Sequence, residues 1–155
     1  MLPKGMPTGH LFKKQVIMKY ITTCILSILL SGICLAGNKV FVEIKCVQKS
    51  GGIVYISLFN SENAYNKKEV YLSKYIDPKE SQVIVELELP FGLYLVSAYQ
   101  DLNSNKKLDT NILGIPKEPV GISNYDGKGT PGKFDKHKVV VDQETKKITV
   151  TLHKL

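Results

Sequence analysis

At 155 residues, with 43% apolar and 23% charged positions, the chain has the length and make-up of one folded domain rather than a disordered polymer. Its formal charge of +7 is concentrated at the front: Lys4, Lys13, Lys14 and Lys19 precede the first apolar run, and no acidic residue occurs before Glu43. Beyond residue 36, 17 lysines face 14 acidic residues, a net +3, and the chain has no arginine for bidentate phosphate or guanine contacts, so a nucleic-acid partner is not expected.

The first element is an export signal. Ile21 to Ala36 runs sixteen residues without a charge, Lys19 precedes it, and Cys34-Leu35-Ala36-Gly37 closes it with small residues. That is a positive n-region, an apolar h-region and an A-x-A-like cleavage site, with cleavage expected after Ala36. The run is shorter than the ~20 residues of a spanning helix, so no membrane span is expected once the signal is removed. The stretch beginning at Met18 reads as a complete compact signal, which makes residues 1–17 an upstream extension. A lipid-modified cysteine needs a small residue before it, and Cys34 follows Ile33. The expected organisation is therefore residues 1–36 as extension and signal, and 37–155 as the mature domain, secreted or periplasmic. Cys46 is the one cysteine left in it, so no internal disulfide can form, and its place in an alternating apolar run predicts a buried thiol.

Strand patterns follow. Val40, Val42, Ile44 and Cys46 alternate with Phe41, Glu43, Lys45 and Val47, which marks a strand with one face inward. Ser50-Gly51-Gly52 reads as a turn into Ile53–Phe59, a second strand expected to form a hairpin with the first. Asn60 to Lys68 is polar and loop-like. Val70 to Ile76 fits a short strand or a helical turn. Val83, Val85, Leu87 and Leu89 alternate with Gln82, Ile84, Glu86 and Glu88, Pro90-Phe91-Gly92 turns the chain, and Leu93–Tyr99 is apolar on both faces, as a central strand is. Lys138–Val141 and Lys147–Leu155 flank the polar turn at 142–145. No helix-length amphipathic pattern occurs after residue 36. Seven strands without helices predict an all-β fold: a single seven-stranded antiparallel β-sandwich, immunoglobulin-like or transthyretin-like in outline.

The segment between the central strand and the last two carries the chemistry. In Asp101-Leu102-Asn103-Ser104-Asn105-Lys106-Lys107-Leu108-Asp109, oxygen-bearing side chains stand at loop positions 1, 3, 5 and 9, and the main-chain carbonyl of Lys107 stands at position 7. Calcium is a hard cation that takes six to eight oxygens, and residues two apart in a tight curl can all turn onto one ion. Asp101, Asn103, Asn105, Lys107 and Asp109 are therefore the expected metal ligands, with Glu118 as a carboxylate that could complete the shell. Lys106 stands where such loops favour glycine, and Ile112 stands where an EF-hand has its bidentate glutamate. The competing reading is an Asx-rich turn whose side chains bond their own backbone. Beyond it, Gly114 to Asn124 holds two prolines and two glycines, as a rigid binding edge or a packed connection would.

Catalysis has one candidate set: Ser123 as nucleophile and His137 as base, with Asp126 or Asp135 to orient it. No G-x-S-x-G elbow is present, and the mature chain has too few His and Cys for a zinc site.

The run LPFGLYLVSAYQDLNSNKKLDTNILGIPKEPVGISN, followed by the glycine- and proline-rich segment through Phe134-Asp135, resembles the bacterial domain-of-unknown-function family numbered 2141. The combined D-L-N-x-N…L-D-T-N, G-I-P-x-E-P and G-x-S-N elements carry the likeness from about Val40 to Leu152. The family has glycine where this chain has Lys106. The resemblance implies an exported protein with one β domain and supplies no activity. The functional expectation is a non-catalytic exported binding or interaction module with a calcium-stabilised loop. Its partner would be a glycan, a small ligand or an envelope protein. The alternatives are an envelope hydrolase using Ser123 and His137, or a purely structural envelope subunit.

Overall fold

The computed structural model describes residues 37–49 and 51–155; the signal-peptide expectation falls on residues 1–36 and lies outside them. Eight strands form two sheets: β1 Gly37–Lys45, β2 Ile53–Phe59, β3 Leu72–Ile76, β4 Gln82–Pro90, β5 Gly92–Asp101, β6 Val120–Ile122, β7 Val139–Val141 and β8 Lys147–Thr151. One sheet runs β4-β1-β8, the other β3-β2-β5-β6, with β7 paired to the start of β5.

The alternating apolar positions explain why the sheets face each other. Val40, Val42 and Ile44 of β1, Leu87 and Leu89 of β4, and Ile148 and Val150 of β8 project from one sheet. Val54, Ile56 and Leu58 of β2 and Tyr94, Val96 and Ala98 of β5 meet them from the other, in one continuous buried cluster. Each such side chain taken fully out of water contributes about 1.5–3 kcal/mol, which holds the layers together without a disulfide. The outer face of β5 is covered too: Leu95 packs with Phe59 and Phe134 in a second small cluster. This is why its sequence is apolar on both sides.

Several expectations are corrected. The described residues form eight strands rather than seven, and the sheets are not wholly antiparallel, because β1 and β8 pair in parallel, Val42 opposite Ile148 and Ile44 opposite Val150. The expected β1–β2 hairpin does not form. β1 pairs β4, while β2 crosses to the other sheet and pairs β3 and β5. The cause lies at Cys46, whose φ of +60° breaks the two-residue period. The chain turns there, so Cys46 is exposed and Val47 takes the inward place. The predicted core thiol is therefore a surface thiol.

The polar stretch read as loop contains α1, Glu62–Lys67. Ser61 caps it, its hydroxyl accepting the Ala64 N–H at 3.2 Å, and Lys68 ends it in the left-handed conformation. Tyr65 on α1 meets Phe59 edge-on at 5.4 Å, so tertiary packing fixes a helix too short for its own periodicity to reveal. A second single turn, α2, spans Phe134–His137.

Candidate functional site

β5 delivers Asp101 to the rim of the sandwich fully buried, opposite Ile53. The neighbouring Gly52 is required there: its φ is +75°, and a methyl group on it would overlap the Asp101 carbonyl oxygen. One residue earlier, the buried Gln100 side chain donates to the Gln48 carbonyl at 2.7 Å and accepts the Gln48 N–H at 2.9 Å, tying the main chain at Gln48 to the end of β5. Nothing in the sequence pattern pointed to Gln100.

From Asp101 the chain curls. The Asp101 carboxylate accepts the N–H groups of Asn105 (3.2 Å) and Lys106 (2.7 Å). The Asn103 side-chain oxygen accepts from Asn105 N–H at 3.1 Å, and that of Asn105 from Lys107 N–H at 2.8 Å. Ser104 and Lys106 both adopt positive φ, 61° and 62°. Lys106 thus makes the sharp turn in the position where glycine was expected, at a cost of about 1–2 kcal/mol. The curl ends on Asp109, where one carboxylate oxygen accepts from both the Asn103 amide (2.6 Å) and the Asn105 amide (2.9 Å).

Four of the five expected ligands, Asp101, Asn103, Asn105 and Asp109, are thus brought into one hydrogen-bonded set. The fifth, Lys107, joins it through its main chain.

Glu118 holds the base of this loop. It is buried at 4% exposure, and its two oxygens accept the N–H groups of Leu102 (2.9 Å) and Asp109 (3.2 Å), one at each end of the curl. The sequence suggested it as an extra ligand; the structure makes it a clamp on the main chain. No lysine comes within ion-pair distance of Asp101, Asp109 or Glu118 among the described residues. Their negative charge is felt nearby: burial, then Tyr55, Asp101 and Glu118, hold the Tyr99 hydroxyl above its ordinary pKa.

The donor chemistry fits a hard cation. Carboxylates and amide oxygens are calcium ligands, and the two asparagine oxygens, which here accept the Asn105 and Lys107 N–H groups, are of that kind. Among the described residues no three His, Cys, Asp or Glu side chains are grouped to hold a metal, so a full shell would draw on the asparagines, main-chain carbonyls and water.

Ser123 and His137 lie together, but not as a relay. The buried Ser123 hydroxyl donates to the His137 main-chain carbonyl at 2.6 Å and accepts the Val96 N–H at 3.1 Å. The His137 ring accepts the Gly132 N–H at Nε2 (3.0 Å), and its Nδ1 lies 3.2 Å from the Asn124 carbonyl. Neither expected acid reaches the ring: Asp135 pairs with Lys138, and Asp126 caps the Lys128 N–H.

A further feature lies on the outer face of the five-stranded sheet. Tyr55 stacks on Tyr99 with centroids 5.1 Å apart, and Tyr75 flanks Tyr55 at 6.3 Å, giving a row of three rings across β3, β2 and β5. In comparison with known proteins, the model of the family described as "Uncharacterized protein conserved in bacteria (DUF2141)" matches residues 42–149. No curated protein and no solved structure matches the chain.

Proposed function

Starting from the fact that this chain belongs to the bacterial DUF2141 family of uncharacterized proteins, we propose that it is an exported, non-catalytic binding module whose rim loop, residues 101–109, is stiffened by calcium. The observation that carries this reading is the gathering of Asp101, Asn103, Asn105 and Asp109 into one hydrogen-bonded loop, with no lysine paired to either carboxylate among the described residues. Lys107 would add its carbonyl, and Glu118 would preserve the shape of the loop rather than bind the ion. An export signal at 1–36 and a secreted or periplasmic address belong to the same proposal, since calcium outside the cytoplasm fills even sites of ~10⁻⁴–10⁻³ M affinity. Two facing sheets with loops at their rim support a sandwich of immunoglobulin-like or transthyretin-like outline, in which end loops bind. The tyrosine row supports a glycan among the partners, by stacking.

The test is thermal melting with calcium and with EGTA. Calcium at one hundred times its dissociation constant stabilises the folded state by about 2.7 kcal/mol. Asp101→Ala should remove the shift, and no shift at millimolar calcium in the parent chain would end the proposal. A hydrolase using Ser123 and His137 is the weaker proposal, since both ring nitrogens face main-chain groups. Turnover lost in Ser123→Ala without loss of folding would favour it.

A further inference from the structure

The strongest unexplained feature is the apex that follows the curl. Ile112 is fully exposed and Leu113 is 82% exposed, and Leu108 and Ile115 beside them are each about 40% exposed. Isolated surface aliphatics are ordinary, but adjacent bare ones at the summit of an ordered turn are not. The turn is ordered by Asn111. Its side-chain oxygen accepts the N–H groups of Leu113 (2.9 Å) and Ile115 (3.0 Å), and its own N–H donates to the Ile115 carbonyl at 2.8 Å. Thr110 bridges Pro116 below, and Gly114 supplies the positive φ of 76°. The apolar side chains are therefore presented in advance, with little left to order on binding.

Charge tells what they meet. Lys106 and Lys107 lie on one leg of this hairpin and Lys117 on the other, and the legs are joined by the Lys117 N–H bond to the Asp109 carbonyl at 2.9 Å. Lys128 lies in the 127–131 segment that walls the facing side of a cleft of about 510 Å³ beside the apex. All four lysines are exposed, and none is ion-paired among the described residues. The acids near them keep their charge but are mostly withdrawn: Glu118 is buried on main-chain N–H groups and Asp109 is half-buried against the two asparagine amides, so Asp126, which accepts the Lys128 N–H, is the one exposed acid beside four exposed lysines.

We propose that the Leu108–Ile115 apex inserts into an anionic lipid surface, its aliphatic side chains entering the acyl boundary while the lysines at its base meet the headgroups. Apolar tips ringed by cations match the layering of such a surface. The inference does not rest on the calcium reading.

The chain has no tryptophan, so Ile112→Trp places a single reporter at the apex of the full-length protein, wherever its other segments go. In EGTA and low salt, its emission should shift to the blue with phosphatidylglycerol-containing vesicles and not with phosphatidylcholine alone. Brominated acyl chains should quench it. Lys107→Glu together with Lys117→Glu should weaken the apparent affinity, by about five-fold or more for each lysine. Melting of the Ile112→Trp variant at the parent temperature confirms an intact fold. Unshifted emission with anionic vesicles would overturn the proposal and leave the apex to a protein partner. An equal shift with neutral vesicles would overturn the role of the lysines.

Discussion

Replacing Glu118 separates a clamp from a ligand. In the structure its two oxygens satisfy two N–H groups at opposite ends of the curl, and its side chain is nearly inaccessible to water. Glu118→Ala leaves both donors without a partner in a place water reaches poorly, at about 1–3 kcal/mol for each. The total is about 2–6 kcal/mol, and a domain of this size responds with a fall of roughly 4 °C in melting temperature per kcal/mol, so a drop of about 8–24 °C is expected. Glu118→Gln keeps the shape and one acceptor but turns an NH2 toward the other N–H, so it should cost about half as much. The assay is thermal or urea unfolding in EGTA, where no metal contributes. A clamp predicts that both variants lose stability in EGTA, in the order Ala worse than Gln. If instead both melted within a degree or two of the parent in EGTA and lost only a calcium-dependent gain, the carboxylate would be a metal ligand and the reasoning from its amide partners would be wrong.

Three further outcomes follow from the same structure. Burial opposes ionisation of Glu43, but the Thr149 hydroxyl, Lys147 and Lys45 outweigh it and hold its carboxyl below the ordinary 4.5. A lowered folded-state pKa gives stability that is present above the unfolded value and lost as pH falls through the folded one, so Glu43→Gln should flatten the fall in stability below about pH 4.5 in acid-unfolding curves. Cys46 should react with a maleimide in the native protein as fast as an exposed thiol; labelling only after denaturation would contradict its outward turn. Calcium at the 101–109 loop should lower the ionisation pKa of Tyr99, because positive charge there offsets the carboxylates that help to raise it. Alkaline difference absorbance with and without the ion, compared with Tyr99→Phe, reads this directly.

The sequence was most informative where a period of two met burial on one face. Val40, Val42 and Ile44, and Leu87 and Leu89, fell inward as expected, and the doubly apolar β5 is the central strand. Partner choice was not legible. Alternation tells which face a strand buries but not which strand lies beside it, so β1 was assigned to β2 when it pairs β4 and β8. The reversal at Cys46 depends on one left-handed residue that carries no compositional mark. In the site, the spacing of oxygen-bearing residues located the curl, whose Asp101, Asn103 and Asn105 side chains bond the loop's own backbone, as the competing Asx-turn reading expected. Glu118 and Gln100 act through main-chain groups far along the sequence, and a side chain that serves distant amides leaves no local pattern. Helix α1 was hidden for a related reason: its signals, the Ser61 cap and an acid-to-lysine polarity, are short and easily read as loop.

The parallel pairing of β1 with β8 sets an order of events for the chain. Glu43 and the Thr149 that bonds it stand 106 positions apart, so the middle of the three-stranded sheet cannot be completed until the final strand is available. During synthesis, β1 would hold one open edge while nearly everything else had emerged. Such long-range closure makes folding slow and late. Loss of Lys147–Thr151 would therefore leave β1 as a bare apolar edge, prone to pair with another copy, and not a slightly smaller domain.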